Sequence, residues 1–530
     1  MPKAFCINLK VKKYIDEISE RGLDMEYIIV QAGGKGTRLK HLTKNKPKAL
    51  VPVENLPMLF HLFRKYPDKR FVIIADYKKE VMREYLSAFA DVKYQIVEAN
   101  GTGTCSGVKQ AMDLIPEKEP FMLVWSDLIL LKQFELPKEY QDGNKPVNDY
   151  VGVSQTFPCR WMYKDGAFSE EKSTEYGVAG FFLFTEKEKI SAVPQSGELV
   201  RWMQQSNLKF ESVGLAGTKE FGILEEYNKL AREKCRPFNK ITVDGDILVK
   251  EAVDAQGKKL AKRECAWYEK AKELDIPVLP KIYETSPLKM EFIKGRNIYE
   301  CNFEIDVKRR ILESLVNALK KLHSSETIEA DTFSIKEAYY NKTIARLAAI
   351  EDLVPFAKEK EIVINGKRCR NIYYYKRELE QKLEQLIYNC DRFAFIHGDC
   401  TFSNMMVRDN SEPVLIDPRG YFGYKELYGD IRYDWAKMYY SIVGNYDQFN
   451  LKKFRLEIGE VAEEGVHLEI ESNGWEDMEK DFFELTGADP YEIKLLHAVI
   501  WLSLTTYAWE NYDSICGAFY NGLYYLEDVL

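Results

Sequence analysis

The sequence lacks any long apolar run, any cysteine pair at metal-ligand spacing and any surplus of basic residues. Each absence removes a class of protein. The most apolar stretch, Leu495 to Trp509, is too short to span a bilayer and contains His497, Thr505 and Thr506, so it reads as a buried helix. Met1 to Gly22 is charged throughout and has no apolar core of a secretory signal, so no membrane insertion is expected. Ten cysteines are scattered with no Cys-x-x-Cys among them, which indicates neither a zinc knuckle nor a disulfide framework. They read as reduced thiols in a cytoplasm. The net charge of -8 argues against non-specific nucleic-acid binding, which rests on clustered Lys and Arg, although local basic clusters stay open. There is no low-complexity tract or internal repeat.

What is present is the composition of a globular protein, 45% hydrophobic and 30% charged over 530 residues, a length that predicts two or three domains. From Glu26, short β-branched runs at Tyr27–Val30, Phe71–Ile74, Tyr94–Val97 and Phe121–Val124 alternate with helical patterns, the sign of a mostly parallel sheet covered by helices. Phe181–Phe184 and Leu208–Val213 add later strands, Glu225–Lys234 a closing helix, and Cys235–Asn239 a junction containing Pro237. Beyond it, Lys240–Val253 reads as a hairpin turning at Asp244-Gly245, followed by a charged helix Lys258–Leu274 and a strand Leu288–Ile293 ending at Gly295. After Asp306 the pattern is largely helical, interrupted near His397. The predicted domains are an extension 1–25, an α/β domain 26–234, and a domain 235–530 with a small lobe to about residue 295 and a helical lobe after it.

Near the start, a strand ending at Ala32 enters Gly33-Gly34-Lys35-Gly36-Thr37-Arg38-Leu39, and Pro47-Lys48-Ala49-Leu50 follows. Glycines here let backbone N–H groups form a concave array that wraps phosphates. No Gly-Lys-Ser/Thr closes the loop, so it is not a Walker A motif. The segment from Glu26 to Arg232 resembles the sugar-phosphate nucleotidylyltransferases and their relatives that activate phosphocholine, which implies a Rossmann-like domain with a mixed sheet. The resemblance implies that Gly33, Gly34, Gly36 and Thr37 bind nucleotide, that Arg38 neutralises the β and γ phosphates, and that Lys48 lies beside the α phosphate and the incoming substrate phosphate. Such cations are needed where an anionic phosphate attacks an anionic phosphorus. It also places Mg²⁺ on Asp127 and on Glu220, where many members carry Asp in an Asp-x-Gly-Thr run; the alternative for Glu220 is a solvated loop acid. Gly103-Thr104 would lie against base and ribose. Glu98 stands where relatives often place a base-reading Gln, and as an acceptor-only group it favours a base edge that offers an amino or imino donor, which leans towards CTP without excluding other nucleotides. Glu175, Tyr176 and Gly177 are candidates for the acceptor pocket.

Near the end, His397-Gly398-Asp399-Cys400-Thr401-Phe402-Ser403-Asn404 and Val414-Leu415-Ile416-Asp417 have the spacing of a kinase catalytic loop and metal strand. Phe238 to Leu530 resembles the aminoglycoside phosphotransferase and choline kinase superfamily, implying a two-lobed (α+β) protein-kinase-like domain. By that resemblance Asp399 deprotonates a substrate hydroxyl, and Asn404 and Asp417 hold Mg²⁺ against ATP. Lys250 grips the α and β phosphates with Glu264 as its ion-pair partner, Glu269 being the rival. Met290 to Ile293, with Glu291 and Ile293, forms the adenine hinge. His323 reads as structural and Asp434 as an anchor of the catalytic loop. Asp417-Pro418 departs from the Asp-Trp-Glu or Asp-Phe-Glu usual in choline kinases, which weakens choline as acceptor. The aromatic tail, including Trp501, Tyr507, Trp509, Tyr512, Phe519, Tyr520, Tyr524 and Tyr525, forms either helical core or a cage for a quaternary ammonium. The combined expectation is a bifunctional, Mg²⁺-dependent enzyme acting on small molecules. The C-terminal domain phosphorylates a hydroxyl of a sugar, polyol or amino alcohol with ATP. The N-terminal domain couples that phosphate to a nucleoside monophosphate from a second triphosphate, CTP favoured, releasing pyrophosphate and giving an activated precursor for a surface glycan or capsule. The alternatives are two unconnected transferases, or a nucleotidyltransferase with a regulatory kinase-like module.

Overall fold

Four strands rich in Ile, Val and Phe organise the N-terminal unit: β1 (Tyr27–Gln31), β2 (Arg70–Ala75), β3 (Lys93–Glu98) and β4 (Phe121–Trp125). The structure is a computed structural model and describes residues 25–141, 146–222, 224, 227, 239–253, 255–408 and 412–530. The predicted extension, except Met25, most of the closing helix and most of the junction lie outside the described residues. The chain divides into two compact units between Ala231 and Arg232.

In the first unit β1 lies between β2 and β4 and is parallel to both, with Ile29 opposite Val72 and Leu123. Ile28, Ile29 and Val30 are fully buried, as expected for a parallel strand covered on both faces. Next comes β5 (Leu128–Ile129), then β6 (Tyr150–Ser154), β7 (Met162–Lys164), β8 (Ala167–Ser169), β9 (Gly177–Phe184), β10 (Glu211–Gly214) and β11 (Lys219–Glu220). The main sheet runs β8-β7-β9-β4-β1-β2-β3, and β6 pairs with both β9 and β10. Because β9 is antiparallel to β4, the sheet is mixed. Gln31 of β1 is opposite Trp125 of β4, so the segments that follow these parallel strands leave the sheet at the same edge. That edge, beyond the carboxyl ends of the strands, is where open α/β sheets bind ligands.

The second unit begins with an antiparallel sheet of β12 (Asn239–Asp244), β13 (Ile247–Ala252), β14 (Ile282–Thr285) and β15 (Leu288–Glu291), ordered β12-β13-β15-β14. The hairpin forms as expected, but Asp244 pairs with Ile247, so its two-residue loop is Gly245-Asp246. Helix α1 (Ala255–Glu273) follows β13. The strand expected to reach Ile293 ends at Glu291, and Gly295–Asn297 forms a separate strand paired with Met405–Arg408. Beyond it lie α2 (Ile305–Ser325), α3 (Lys342–Ala348), α4 (Ile372–Tyr388), α5 (Ile431–Ile442), α6 (Pro490–Leu504) and α7 (Tyr512–Leu526).

Sequence reading missed a four-stranded sheet inside this helical region. Glu361–Ile364 and Lys367–Arg370 form a hairpin, and Phe454–Ile458 and Val466–Ile470 complete the sheet. Its loop, Asn365-Gly366, has φ of 48° and 79°, the left-handed pair that a two-residue hairpin turn requires. The aromatic tail is mainly core: Trp501, Tyr512, Phe519 and Tyr520 are buried to 1% exposure or less. No helix among the described residues is long and apolar enough to cross a membrane.

Candidate active sites

At the edge shared by β1 and β4, the glycine loop turns into a 3₁₀ helix, Thr37–Thr43, and a second 3₁₀ turn starts at Lys48. Gly36 has a φ of 66°, and a Cβ there would sit 2.9 Å from the Cβ of Lys48. Only glycine therefore permits both the turn and the close approach of the lysine. Lys48 forms an ion pair with Asp127, two residues beyond β4. Pairing of β11 with β5 sets Glu220 opposite Leu128, beside Asp127 in sequence, and Arg38 reaches Glu220 at 3.6 Å. The structure thus brings together Arg38, Lys48, Asp127 and Glu220, which are separated by up to 182 positions in the chain.

Burial opposes the charge on Asp127, but the adjacent Lys48 ammonium outweighs it and holds the carboxyl below its usual range. Glu220 is pushed up to about 7, first by burial and then by the negative charge of Asp127. Gly222, which the sequence analysis did not single out, completes the cluster. A Cβ at Gly222 would stand 2.1 Å from Glu220 Oε1 and 3.0 Å from both Arg38 Nη2 and Asp127 Oδ2. Its signal was present in the Glu220-Phe221-Gly222 run.

Glu98, at the end of β3, accepts from Lys79 Nζ at 2.6 Å and from Arg83 Nη2 at 2.7 Å. Thr104 is tied into the fold at both ends: its carbonyl accepts from Gln31 Nε2 at 2.7 Å and its hydroxyl from the Leu199 N–H at 2.8 Å. Gly103 takes a φ of 80° in the same turn.

In the second unit, Lys250 on β13, Glu264 on α1, and Asp399, Asn404 and Asp417 all line one cleft of about 460 Å³. Lys250 Nζ contacts Glu264 at 2.9 Å and Asp417 at 2.6 Å. Burial works against this ammonium, and the two carboxylates overcome it to raise its pKa above the ordinary lysine value. Glu264 is pushed up to about 7 by burial, and the charge of Asp417 adds to the rise while Lys250 opposes it. The rival Glu269 instead accepts from the Thr285 hydroxyl at 2.8 Å. Glu291 is ion-paired with Arg408, its N–H donates to the Lys281 carbonyl, and Ile293 is buried; neither is part of the cleft lining described above.

Asp434 holds the backbone at the start of the loop 397–404. Asp434 of α5 accepts from the N–H of His397 at 2.9 Å, the N–H of Gly398 at 2.7 Å and His323 at 3.0 Å. Burial opposes its charge, and the hydrogen bond from His323 is the leading cause holding its carboxyl below the usual range. Asp399 is paired with Lys437 at 3.0 Å and faces Arg419 at 3.8 Å. Asn404 donates its Nδ2 to the Asp399 carbonyl at 2.9 Å, which leaves Oδ1 as its free-acting acceptor atom. Asp417 has a φ of 53°, a left-handed conformation that Asp tolerates better than most residues.

Both sites fit Mg²⁺ in donor chemistry. Asp127 and Glu220 at one, and Asp417 and Asn404 at the other, offer hard oxygen ligands. The raised pKa of Glu220 beside Asp127 marks a negative charge that a divalent cation would relieve. Among the described residues no three His, Cys, Asp or Glu side chains cluster as a metal cage. Each pair therefore suits a cation shared with substrate phosphates, the usual arrangement for Mg²⁺.

Residues 27–147 match the family model described as Nucleotidyl transferase, and residues 240–459 match that described as Phosphotransferase enzyme family. The chain is similar to the bifunctional protein GlmU of Methanocaldococcus jannaschii, 32% identical over 110 residues that cover 20% of this chain and 26% of that protein. It is also similar to a mannose-1-phosphate guanyltransferase of Yarrowia lipolytica, 28% identical over 162 residues covering 28% of this chain and 44% of the relative. The chain thus spans from a quarter to less than half of the length of these curated relatives. Among solved structures, HddC from Yersinia pseudotuberculosis is 19% identical, with 39% of this chain and 98% of that one covered and a TM-score of 0.33. The polypeptide joins a nucleotidyl transferase domain to a phosphotransferase-family domain.

Proposed function

We propose that this protein is a bifunctional enzyme whose C-terminal domain transfers the γ-phosphate of ATP to a hydroxyl of a small metabolite. The N-terminal domain then couples that phosphate to a nucleoside monophosphate drawn from a nucleoside triphosphate and releases pyrophosphate. The observation that carries the reading is the convergence of Lys250, Glu264, Asp399, Asn404 and Asp417 on one cleft in a chain that also gathers Arg38, Lys48, Asp127 and Glu220 around one sheet edge.

Asp399 orients the hydroxyl and takes its proton, while Lys250 holds the α and β phosphates. Asn404 and Asp417 in one domain, and Asp127 and Glu220 in the other, would hold Mg²⁺, which when bound would supply charge neutralisation at the reacting phosphates. At the N-terminal site no general base is needed, because the attacking phosphate is already ionised. Arg38 and Lys48 act by neutralising charge as the two anions approach.

CTP is the proposed nucleotide. A carboxylate has about four acceptor sites, so Glu98 retains capacity for a base amino group beside Lys79 and Arg83. The product would be a nucleotide-activated sugar, polyol or amino alcohol used to decorate a surface glycan or capsule. A cytoplasmic setting is supported by the cysteines, all free thiols among the described residues.

The test is product analysis by mass spectrometry after incubation with ATP, CTP, Mg²⁺ and a panel of alcohols. A nucleotide-linked product made by the wild type and missing with either Asp399→Ala or Asp127→Ala supports the sequential reading. Loss of phosphorylation in Asp127→Ala, or its survival in Asp399→Ala, would contradict the division of labour.

A further inference from the structure

The phosphotransferase cleft contains a second group of cations that the ATP-handling residues do not use. Lys342 and Arg346 lie four residues apart on α3, which continues from a π-helical segment, Glu337–Asn341. Such widened turns are frequent at functional sites. Both side chains line the cleft, together with Arg419 and Lys437.

Arg419 and Lys437 have a carboxylate partner in Asp399. Lys342 and Arg346 have no ion-pair partner among the described residues; Arg346 donates to the carbonyl and to the hydroxyl of Ser503. Glu337 also lines the cleft and favours the charge on Lys342, but less strongly than Arg419, Arg346 and Lys437 oppose it. Burial and those three cations push Lys342 down to about 7. Positive charges gathered in a partly closed cleft await an anion.

That anion is not accounted for by the nucleotide residues, because Lys250 with Glu264 and Asp417 forms its own network. The charges acting on Lys342 are instead those around Asp399, the group placed to receive the hydroxyl proton. Of the six tyrosines lining the cleft, five already face protein cations, Tyr421 those of Arg263 and Arg419 and Tyr507 that of Arg346, so they do not make a vacant cage for a cationic substrate. The rings of Tyr433, Tyr440 and Tyr446 already face the ammonium of Lys437, at 5.9, 5.5 and 6.0 Å.

Resting on the kinase reading above, we infer that the acceptor alcohol is itself anionic, with a carboxylate or phosphate bound by Lys342 and Arg346 beside Asp399. In the reaction the acceptor hydroxyl gives its proton to Asp399 and its oxygen bonds to the γ-phosphorus. The bond from that phosphorus to the β–γ bridging oxygen breaks, ADP leaves, and Asp399 passes the proton to water. The acceptor thus becomes more negative by one phosphate. This excludes choline and ethanolamine and selects hydroxy acids, sugar acids or phosphorylated polyols.

The experiment measures ADP release by the full chain with Mg-ATP and matched alcohols: glycerate and glucuronate for carboxylates, glycerol 3-phosphate and glucose 6-phosphate for phosphates, glycerol and glucose as neutral controls, and choline and ethanolamine as cations. Anionic acceptors are expected to exceed their neutral counterparts at least tenfold in kcat/KM, and the two anionic arms tell carboxylate from phosphate. Arg346→Gln combined with Lys342→Met should narrow the anionic-to-neutral ratio at least tenfold through KM, while Arg346→Lys retains the preference. A ratio is read only on active protein, so misfolding does not imitate the result. Faster phosphorylation of choline or glycerol than of any anionic alcohol would overturn the inference and leave the kinase reading standing. Failure of every alcohol to support ADP release would count against the kinase reading itself.

Discussion

Each site contains two neighbouring acids beside cations: in the first Lys48 pairs with Asp127 while Arg38 pairs with Glu220, and in the second Lys250 bridges Asp417 and Glu264. In both pairs one glutamate is pushed up to about 7 by burial and by its acidic neighbour. The C-terminal site adds a further carboxylate, Asp399, paired with Lys437 and Arg419 instead of the bridging lysine. On the proposed function the difference follows from the nucleophiles: a phosphate arrives already ionised and needs only neutralisation, whereas an alcohol must lose a proton and so needs a base held apart from the acids proposed to hold Mg²⁺.

The comparison breaks most sharply under paired substitutions. Asp399→Ala should lower phosphorylation of the acceptor about a thousand-fold while nucleotidyl transfer to a supplied phosphate ester continues. Lys48→Ala should lower nucleotidyl transfer about a hundredfold and leave phosphorylation running. Separate initial-rate assays of pyrophosphate and ADP release check both, and matched losses of the two activities in either variant would show that the sites do not divide the chemistry.

Gly222→Ala probes packing in the acid pair without removing a charge. A Cβ placed 2.1 Å from Glu220 Oε1 must displace that carboxylate, so nucleotidyl transfer should fall about tenfold, equivalent to about 1.4 kcal/mol of barrier. Mg²⁺ titration of the activity should show a raised requirement in this variant. Unchanged rates at limiting Mg²⁺ would separate Glu220 from metal binding.

The smallest effect concerns stability of the C-terminal unit. His497 is fully buried in α6, its Nε2 accepts from the Trp501 indole at 3.0 Å, and burial lowers its pKa to about 3. The unfolded chain therefore binds a proton that the folded chain refuses between pH 6.5 and about 3. Stability is lost as pH falls through this window, with His497 contributing at most about 1.4 kcal/mol per pH unit. Urea unfolding of the full chain, followed by the signal of its C-terminal transition, should show a shallower acid slope in His497→Gln; an unchanged slope would move the effect to other groups.

Most of the first site was legible because its residues occur in short runs after strands. Gly33 to Arg38 follows β1, and Asp127 follows β4. What sequence did not show was the short β5–β11 pairing that brings Glu220 and Gly222 to Asp127, since two-residue strands carry almost no periodicity. The kinase loop was equally legible, but Lys342 and Arg346 sit on an ordinary-looking charged helix and gain meaning only when the fold sets them near Arg419 and Lys437. The sheet built on Asn365-Gly366 had a clear turn signal that the surrounding helical pattern obscured. Glu98 ends its strand, yet its partners Lys79 and Arg83 come from the helix Lys79–Phe89 that leads from β2 into that strand and were not foreseen.

The central claim is that one phosphate passes through both sites. ATP labelled in its γ-phosphate, supplied with CTP, Mg²⁺ and the preferred acceptor, should yield a product in which the label lies between cytidine monophosphate and the alcohol, resistant to phosphatase until the pyrophosphate linkage is cleaved. Label that stays in a phosphatase-sensitive ester, with every nucleoside triphosphate offered, would show that the two sites share no intermediate and contradict the account.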